Sequence, residues 1–417
     1  MLEKENKILE YKEEINRTYL KTVCAYANYN DGMVIFGVSD DYVIKGIKSP
    51  KEECLNIENQ INDSIKPKPN FSIKVNNDNT ITLEVFKGDE TPYRYNGKCY
   101  KRNDTSTVEV NPLEENRLVL EGMNISYEEL TSKRQDLSFD ILGKNIKEAL
   151  NLDTFNQDTL KSLNLLNQKG YNNAAQLLAD SNNYPGFDVV IFGRNINEIK
   201  KRYSLVNTSI LKQYLDILEI FKNEYIIQKI DGGFREKYEL IPFEAFREAI
   251  ANSIIHRTWD ININTKVEMY LDKIVISSPG GLPNGISKEA FINGRFSYLR
   301  NPIIGNVFHR LNIVELFATG VKRINESYRN CGVRPLFDIS NSYISITLPV
   351  KREISFNNNE KNVLSKMKNN FDYTRTKLEE LTSLNKDALI RALNKLIDKN
   401  VIVKKGRAKQ TYYQRTL

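Results

Sequence analysis

The sequence is poor in the residues that build disulfides and metal sites. Its 417 residues include two histidines and four cysteines, and Cys24, Cys54, Cys99 and Cys331 form no CxxC pair. Neither a zinc knuckle nor a disulfide framework is therefore predicted. No apolar run approaches the ~18 residues that a membrane span needs, and the start, MLEKENKILEYKEE, is charged throughout. These absences predict a cytoplasmic protein with no secretory signal and no membrane partner.

The positive charge of the chain is concentrated at its C-terminal end. The whole chain has 60 Lys and Arg against 53 Asp and Glu, a net charge of +7. Residues 357–417 alone have 14 basic and 6 acidic residues, which is +8. The remainder has 46 basic and 47 acidic residues and is almost neutral. A small basic module indicates a polyanion partner, most often nucleic acid, although a solvated charged face gives the same count.

The same C-terminal region has the pattern helix, helix, helix, hairpin. This order is typical of a winged helix-turn-helix, which predicts a DNA partner whose affinity falls steeply with salt. A winged helix that contacts protein instead is the alternative. The basic residues fall into two groups: Lys386, Arg391 and Lys395 on or near the recognition helix, and Lys404, Lys405, Arg407 and Lys409 on the wing.

A polar line runs along one predicted helix, within FREAIANSIIHRTW at 246–259. Glu248, Asn252 and His256 are spaced at i, i+4 and i+8, so they share one helical face. An acid, an amide and an imidazole in a line can hold a metal-bound phosphate, with the acid activating water and the amide oxygen binding Mg²⁺. The alternative is a helix whose solvent face happens to be polar.

Two glycine motifs follow that helix. Ser278-Pro279-Gly280-Gly281 comes after two predicted strands, and Thr319-Gly320 precedes a predicted helix. Glycine lets a backbone approach a ligand closely, and the free N–H groups of a helix start bind phosphate. The order of helix face, glycine loop and glycine helix start predicts a nucleotide site.

The segments EAIANSIIHR, ISSPGGLPNGI, RFSYLRNPIIGNVFHRLNIVE and FATGVKRI resemble the GHKL ATPases, in the divergent RecG-C-terminal-like branch. The resemblance implies ATP and Mg²⁺ as ligands, Glu248 as the water-activating acid and Asn252 as the Mg²⁺ ligand. His256 stands where relatives have another polar group. Gly280 and Gly281 would line the adenine loop, and Thr319 and Gly320 would cradle the phosphates.

This sequence departs from the GHKL pattern at two positions. Ser278 stands where better-known members have the aspartate that recognises adenine, and Ala318 stands where a glycine is expected. Whether nucleotide is hydrolysed, and which base is preferred, therefore stays open. A fold that only dimerises is the alternative.

The N-terminal segments LEYKEE, LKTVCAYANYNDGMVIFGVSDD and TPYRYNGKCYKRNDTST resemble the Schlafen AlbA-type domain over about residues 5–108. The resemblance implies nucleic-acid binding. The basic residues Arg94, Lys98, Lys101 and Arg102 suit phosphate contacts. The interleaved Tyr93, Tyr95 and Tyr100 suit base stacking. An ordinary hairpin with exposed basic residues and half-buried tyrosines is the alternative.

Some Schlafen proteins are ribonucleases with three metal-binding carboxylates. Glu5 and Glu10 have the matching spacing, and Asp40 or Asp41 follows the glycine-valine strand. Such a cluster would hold a divalent metal and activate water against a phosphodiester. The alternatives are structural, with Glu10 as a cap or ion-pair partner and Asp40 in a turn.

These patterns predict an α+β multidomain protein. The predicted domains are an AlbA/Schlafen-like α/β domain at 1–110, a helical connector at 111–235, a GHKL-like α/β sandwich at 236–352 and a winged helix-turn-helix at 357–417. The leading hypothesis is a nucleotide-binding, DNA-binding homo-oligomer that regulates transcription or serves in phage defence, with RNA as an alternative partner. The other hypotheses are a nuclease acting on tRNA or single-stranded nucleic acid, and a non-catalytic dimerising scaffold.

Overall fold

The computed structural model describes most of the chain. The described residues are 2–231, 234–282, 286–293, 299–315, 320–329, 331–352, 356–368, 371–399, 401–406 and 411–415. They fold into two compact units, Met1–Tyr127 and Glu128–Leu417. In the described residues, no helix is both long enough and apolar enough to cross a membrane.

The first unit combines short strands with three helices. Its elements, in chain order, are β1 (Leu9–Lys12), α1 (Tyr19–Tyr29), β2 (Gly32–Phe36), α2 (Pro50–Ser64), β3 (Ile65–Lys66), β4 (Asn70–Val75), β5 (Ile81–Phe86), β6 (Arg94–Tyr95), β7 (Tyr100–Asn103), β8 (Ser106–Glu109) and α3 (Pro112–Gly122).

A four-stranded sheet with the order β1-β2-β5-β4 forms the centre of this unit. Strand β1 runs parallel to β2, whereas β5 is antiparallel to both β2 and β4. Helix α1 buries Leu20, Val23 and Ala27 in the core, as its apolar spacing predicts. The alternating apolar residues of 71–75 and 80–86, joined by Asn-Asn-Asp-Asn, predict a hairpin, and these segments pair as β4 and β5.

Helix α3 extends the first unit beyond the predicted boundary at 110. The side chain of its N-cap, Asn111, accepts a hydrogen bond from the backbone N–H of Glu114, and Pro112 begins the helix. Leu118 is buried, and its carbonyl accepts a 2.8 Å hydrogen bond from Thr91 Oγ1. These contacts attach α3 to unit 1, so the first unit ends at Tyr127.

The second unit contains the remaining elements. In chain order they are α4 (Asp140–Leu150), α5 (Gln157–Ser162), β9 (Leu166–Asn167), β10 (Gly170–Tyr171), α6 (Asn173–Leu178), β11 (Phe187–Phe192), β12 (Ile199–Leu205), α7 (Ile210–Tyr225), β13 (Ile226–Asp231), β14 (Phe234–Glu239), α8 (Phe243–Ile255), β15 (Thr265–Met269), β16 (Lys273–Pro279), α9 (Lys288–Ile292), α10 (Pro302–Arg310), α11 (Gly320–Ser327), β17 (Leu336–Ile339), β18 (Tyr343–Pro349), α12 (Asn358–Lys366), β19 (Asp372–Thr374), α13 (Arg375–Thr382), α14 (Lys386–Asp398), β20 (Ile402–Lys405) and β21 (Tyr412–Arg415).

A six-stranded sheet with the order β12-β11-β15-β16-β18-β17 carries the predicted nucleotide motifs. Its first two strands lie within residues 111–235, which the sequence predicts as a mostly helical connector. Strand β11 pairs in parallel with β15, from Phe187 opposite Thr265 to Ile191 opposite Met269. This region therefore belongs to the same sheet as residues 265–349, because β11 completes hydrogen bonding along β15.

The C-terminal segment 357–415 has the order helix, strand, helix, helix, strand, strand. Strands β19, β21 and β20 form an antiparallel sheet in that order. The three predicted helices are present, and Leu378, Leu389, Leu393 and Ile402 form their shared core. The asparagine-rich run at 357–359 has the composition of a linker, but a capping box between Asn357 and Glu360 starts α12 at Asn358.

Candidate nucleotide pocket and nucleic-acid surfaces

Helix α8 places two of the predicted site residues side by side. Pro242 precedes the helix, and Ala249 and Ile250 bury its apolar face. On the line predicted from the sequence, Asn252 Nδ2 donates a 3.3 Å hydrogen bond to Glu248 Oε1. Glu248 is only 2% exposed, and its Oε2 atom has no hydrogen-bond partner among the described residues. A buried carboxylate oxygen without a partner is rare and needs an explanation.

The start of helix α11 lies against the same two side chains. A Cβ atom added to Gly320 would stand 2.6 Å from both Asn252 Nδ2 and Glu248 Oε1. Real Cβ atoms essentially never come this close, so a larger residue here would displace the Glu248 and Asn252 side chains, whereas glycine lets α11 begin directly against them. The structure thus brings together Glu248, Asn252 and Gly320, as predicted from their order in the sequence. Thr319 and Ala318 lie outside the described residues.

Two arginines that the sequence analysis missed act on Glu248. Burial raises the pKa of Glu248, and the charges of Arg323 and Arg247 lower it. Arg247 Nη1 also donates to the Ile313 carbonyl at 3.4 Å, and Arg323 Nη2 lies 3.8 Å from Glu315. Only their positions in the sequence point to these two arginines. Arg247 directly precedes Glu248, and Arg323 follows Gly320 by one helical turn.

A cleft with a cavity volume of about 30 Å³, partly open to solvent, adjoins this cluster. It has an apolar lining with a few polar groups, which is the usual character of a small-molecule site. Its polar lining comes from Asn252, Ser253, His256 and Ser278, and its other lining residues are Ile276, Gly280, Phe291, Val321, Ile344 and Ile346.

His256 contributes a neutral imidazole to the cleft. Burial, together with the nearby charge of Arg300, lowers the pKa of His256 to about 4. The ring meets Phe291 edge to face, with 6.3 Å between ring centroids. At neutral pH the ring can therefore donate and accept one hydrogen bond each without adding charge.

The predicted glycine loop forms one rim of the cleft. Gly280 has a φ of +105°, a backbone conformation that residues other than glycine rarely adopt. A Cβ at Gly281 would lie 2.5 Å from the Ser340 carbonyl oxygen. At Ser278, the hydroxyl is buried and donates a 2.8 Å hydrogen bond to the Ser253 carbonyl. The loop is thus fixed against α8 by backbone and side-chain contacts.

The three predicted carboxylates of unit 1 have separate surroundings. Glu5 accepts a 2.7 Å hydrogen bond from the backbone N–H of Tyr11, on the outer edge of β1. Glu10 is buried and pairs with Arg102 at 2.5 Å and with Lys12 at 2.7 Å. Asp40 is exposed in a turn. Within the described ranges, no three His, Cys, Asp or Glu side chains form a group able to hold a metal ion.

All four predicted phosphate-contacting residues of unit 1 have acidic partners. Ion pairs join Arg94 to Glu115 at 2.9 Å, Lys98 to Glu109 at 2.7 Å, Lys101 to Glu114 at 2.7 Å and Arg102 to Glu10. The first three pairs are at least partly solvent-exposed, whereas the Arg102 side chain is only 4% exposed. The interleaved tyrosines belong to the core, with Tyr93, Tyr95 and Tyr100 buried. These residues therefore do not form a free cationic and aromatic surface.

The C-terminal segment differs in this respect. Lys386, Arg391 and Lys395 are exposed on α14, and Lys404 and Lys405 are exposed on β20. In the part of the segment that the structure describes, no ion pair links these five to an acidic side chain. Lys405 instead donates to Gln414 Oε1 at 2.6 Å, which leaves its charge uncompensated. Arg407 and Lys409 lie outside the described residues.

Comparison with known proteins matches two parts of the chain. Residues 5–111 match the family model described as "Schlafen, AlbA_2", and residues 263–348 match the one described as "Putative ATP-dependent DNA helicase recG C-terminal". Both resemblances inferred from the sequence are thereby confirmed, as is the mixed α+β multidomain fold. The second match contains Gly280, Gly281 and Gly320, while α8 precedes it.

One solved structure is similar over almost the entire chain. It is the crystal structure of the DIP2311 protein from Corynebacterium diphtheriae, with a TM-score of 0.52, 18% sequence identity and coverage of 98% of this chain and 92% of that one. At this identity the likeness concerns the fold alone. A search of curated proteins found no match.

Proposed function

We propose that this chain binds ATP with Mg²⁺ in the cleft of unit 2 and binds nucleic acid, acting as a nucleotide-responsive regulator of the transcriptional or defence class. The observation that carries the proposal is the meeting of three separate segments around one cleft. These are the polar face of α8, the Gly280 loop and the first residue of α11. The match of residues 263–348 to a RecG C-terminal family model supports the same ligand class.

The residues around Glu248 fit a nucleotide with its metal ion. Asn252 would bind Mg²⁺ through its side-chain oxygen, and bound Mg²⁺ would neutralise phosphate charge. The Glu248 Oε2 atom, which is buried and has no hydrogen-bond partner among the described residues, would accept a proton from water. Burial raises the pKa of Glu248 towards the range in which a carboxylate is an effective base.

The polar lining favours adenine over guanine. Because the Ser278 hydroxyl donates its proton to the Ser253 carbonyl, its remaining capacity towards the cleft is that of an acceptor. An acceptor matches the amino group at position 6 of adenine and opposes the carbonyl there in guanine. Ser278 would thus serve in place of the aspartate of better-known GHKL enzymes.

Nucleic acid would be bound mainly by the C-terminal segment. Its element order fits a winged helix-turn-helix, with α14 as the recognition helix and the β20 and β21 strands as the wing. The five exposed cations of α14 and β20 have no acidic partner among the described residues, so they are available to phosphates. Metal-dependent cleavage by unit 1 lacks comparable support, because Glu10 is held by two cations.

Titration calorimetry of the full chain with ATP and Mg²⁺ tests the nucleotide site. We expect the wild type to bind, Asn252→Ala to weaken binding at least tenfold, and Asn306→Ala, an exposed amide on α10, to have no effect. Ser278→Ala should reduce the preference for ATP over GTP. Absence of ATP binding by the wild type, or unchanged binding by Asn252→Ala, would contradict the assignment.

Fluorescence anisotropy with a DNA duplex tests the C-terminal segment. Removing residues 357–417 should weaken binding and flatten its dependence on salt, because each lost phosphate contact lowers the slope of log K against log salt by about 0.9. A truncated chain with the affinity and slope of the full chain would show that DNA is bound elsewhere.

A further inference from the structure

One side chain, that of Arg300, joins the end of α8 to the glycine loop. Its Nη1 atom donates to the His256 carbonyl at 3.2 Å and to the hydroxyl of Thr258. Its Nη2 atom donates to the Gly281 carbonyl at 2.8 Å. A planar guanidinium suits this task because its donors have a fixed spacing, whereas a lysine offers only a point charge.

The neighbouring residues keep Arg300 in this position. Asn301 is buried, and its Nδ2 atom donates to the carbonyls of Ile255 and Arg257, both at 2.8 Å. The backbone carrying Arg300 is thereby tied to the C-terminal end of α8. This tie spans 46 residues of the sequence, and the Arg300 bonds span 44 residues to His256 and 19 residues to Gly281.

The bonded loop is also shaped by its contacts with Arg300. A Cβ at Gly280 would lie 2.5 Å from Arg300 Nη1 and would overlap the Thr258 hydroxyl. Both bonded segments line the cleft, through His256 and Gly280. Because Arg300 links their backbones, it sets the relative position of these two lining segments, and its bonds therefore bear on affinity.

We propose that Arg300 is a positioning residue of the nucleotide site: its guanidinium fixes the Gly280–Gly281 loop to the end of α8 and so holds the base-binding cleft open at the width that a nucleotide needs. The ligand in this statement rests on the proposed function. Arg300 acts through the backbone of the loop and through Thr258, and it has no part in the chemistry at Glu248.

Calorimetry with ATP and Mg²⁺ on the full chain provides the first test. Arg300→Gln removes the charge and one of the two donor groups, and we expect at least tenfold weaker binding. Arg300→Lys keeps the charge but not the fork, and we expect a smaller loss of about threefold. Arg310→Gln, an identical change at an exposed position on α10, is the matched control and should bind as the wild type does.

Hydrogen exchange without nucleotide provides a second readout that separates the two proposals. Amides of residues 276–282 should exchange faster in Arg300→Gln than in Arg310→Gln. If the wild type fails to bind ATP while residues 276–282 still exchange faster in Arg300→Gln, the ATP assignment is wrong, and the role of Arg300 in fixing the loop is supported.

If Arg300→Gln folds and keeps both its affinity and its exchange rates, the role of Arg300 is refuted. Should that variant not fold, Arg300→Lys and Thr258→Val, which removes one acceptor without changing size, decide the matter. Wild-type affinity and exchange rates in both variants would refute the positioning role of Arg300, and weaker binding with faster exchange would support it.

Discussion

Unit 1 and the cleft of unit 2 both contain glutamates with basic residues nearby, but the two regions differ in whether these charges are paired. In unit 1, Glu10 faces Arg102 and Lys12, and Lys98 faces Glu109. In the cleft, Glu248 Oε2 is buried with no partner among the described residues. The first set is neutralised within the protein, whereas the second leaves bonding capacity unused.

This difference separates charges that serve the fold from charges that await a ligand. Burying a carboxylate is costly unless it is paired, and Arg102 offsets that cost for Glu10. For Glu248 the offset is incomplete, since the charges of Arg323 and Arg247 lower its pKa less than burial raises it. We therefore expect substitutions in unit 1 to reduce stability and substitutions in the cleft to reduce binding.

Breaking the buried pair in unit 1 should have the largest effect. Arg102→Met leaves Glu10 buried beside a single, more exposed cation, and removal of one partner of a buried ion pair costs about 3–5 kcal/mol. Urea unfolding of the full chain, followed by the fluorescence of a probe on unit 1, measures this loss. Lys98→Met, which breaks an exposed pair, should cost no more than about 1 kcal/mol. If Arg102→Met and Lys98→Met lowered the unfolding free energy equally, the buried Arg102 pair would contribute no more to stability than an exposed pair.

Glu128 is an intermediate case, a carboxylate whose partners are neutral. It is fully buried and accepts hydrogen bonds from the backbone N–H groups of Ile303 and, at 3.0 Å, Ile304 at the start of α10. Burial raises the pKa of Glu128 to about 8, against the lowering effect of these two N–H groups. Its protonated form is thus favoured in the folded state.

The raised pKa of Glu128 predicts a pH-dependent stability. The folded state binds a proton that the unfolded state releases above about pH 4.5, so this contribution is complete below that pH and is lost as the pH rises through about 8. Between pH 5 and 8 we expect the unfolding free energy of the wild type to fall by about 3–4 kcal/mol more than that of Glu128→Gln. Glu148→Gln, an exposed carboxylate on α4, should follow the wild type. Parallel profiles for wild type and Glu128→Gln would refute the prediction.

Closing the gap at Gly320 should affect binding and leave most of the stability intact. In Gly320→Ala, the new methyl group would press on Glu248 and Asn252, which must move from the positions that hold the nucleotide. We expect about tenfold weaker ATP binding by calorimetry. Gly305→Ala, whose nearest new contact is 3.1 Å to a flexible leucine side chain, is the control and should change affinity less than twofold. If Gly305→Ala weakened ATP binding more than Gly320→Ala, the start of α11 would not be part of the nucleotide site.

The parts of the site that could be predicted from the sequence are those that depend on the spacing of residues close together in the chain. The i, i+4 relation of Glu248 and Asn252 follows from helical periodicity, and the glycine at 320 follows from its place before a helix. The helices and hairpin of the C-terminal segment were likewise predictable, because apolar residues recur there at helical intervals.

The parts that were missed depend on contacts between distant residues. Arg102 pairs with Glu10 across 92 positions, and Arg300 reaches His256 across 44, which no local pattern encodes. Strand β12, IKKRYSL, shows no apolar alternation because it lies at an edge of its sheet with most side chains exposed. Local sequence assigned the unit 1 lysines to phosphate contacts, because their glutamate partners lie on α3 and β8.

The smallest expected effect concerns these paired lysines. Because Glu109 and Glu114 compensate Lys98 and Lys101, the double variant Lys98→Ala/Lys101→Ala should change DNA affinity less than twofold. The matched variant Lys404→Ala/Lys405→Ala removes the same charge from β20, where no acidic partner lies among the described residues, and should weaken binding several-fold at low salt. Anisotropy at two salt concentrations measures both. If the unit 1 variant shows the larger loss and the steeper change with salt, its ion pairs open on binding, and unit 1 is the main DNA-binding surface.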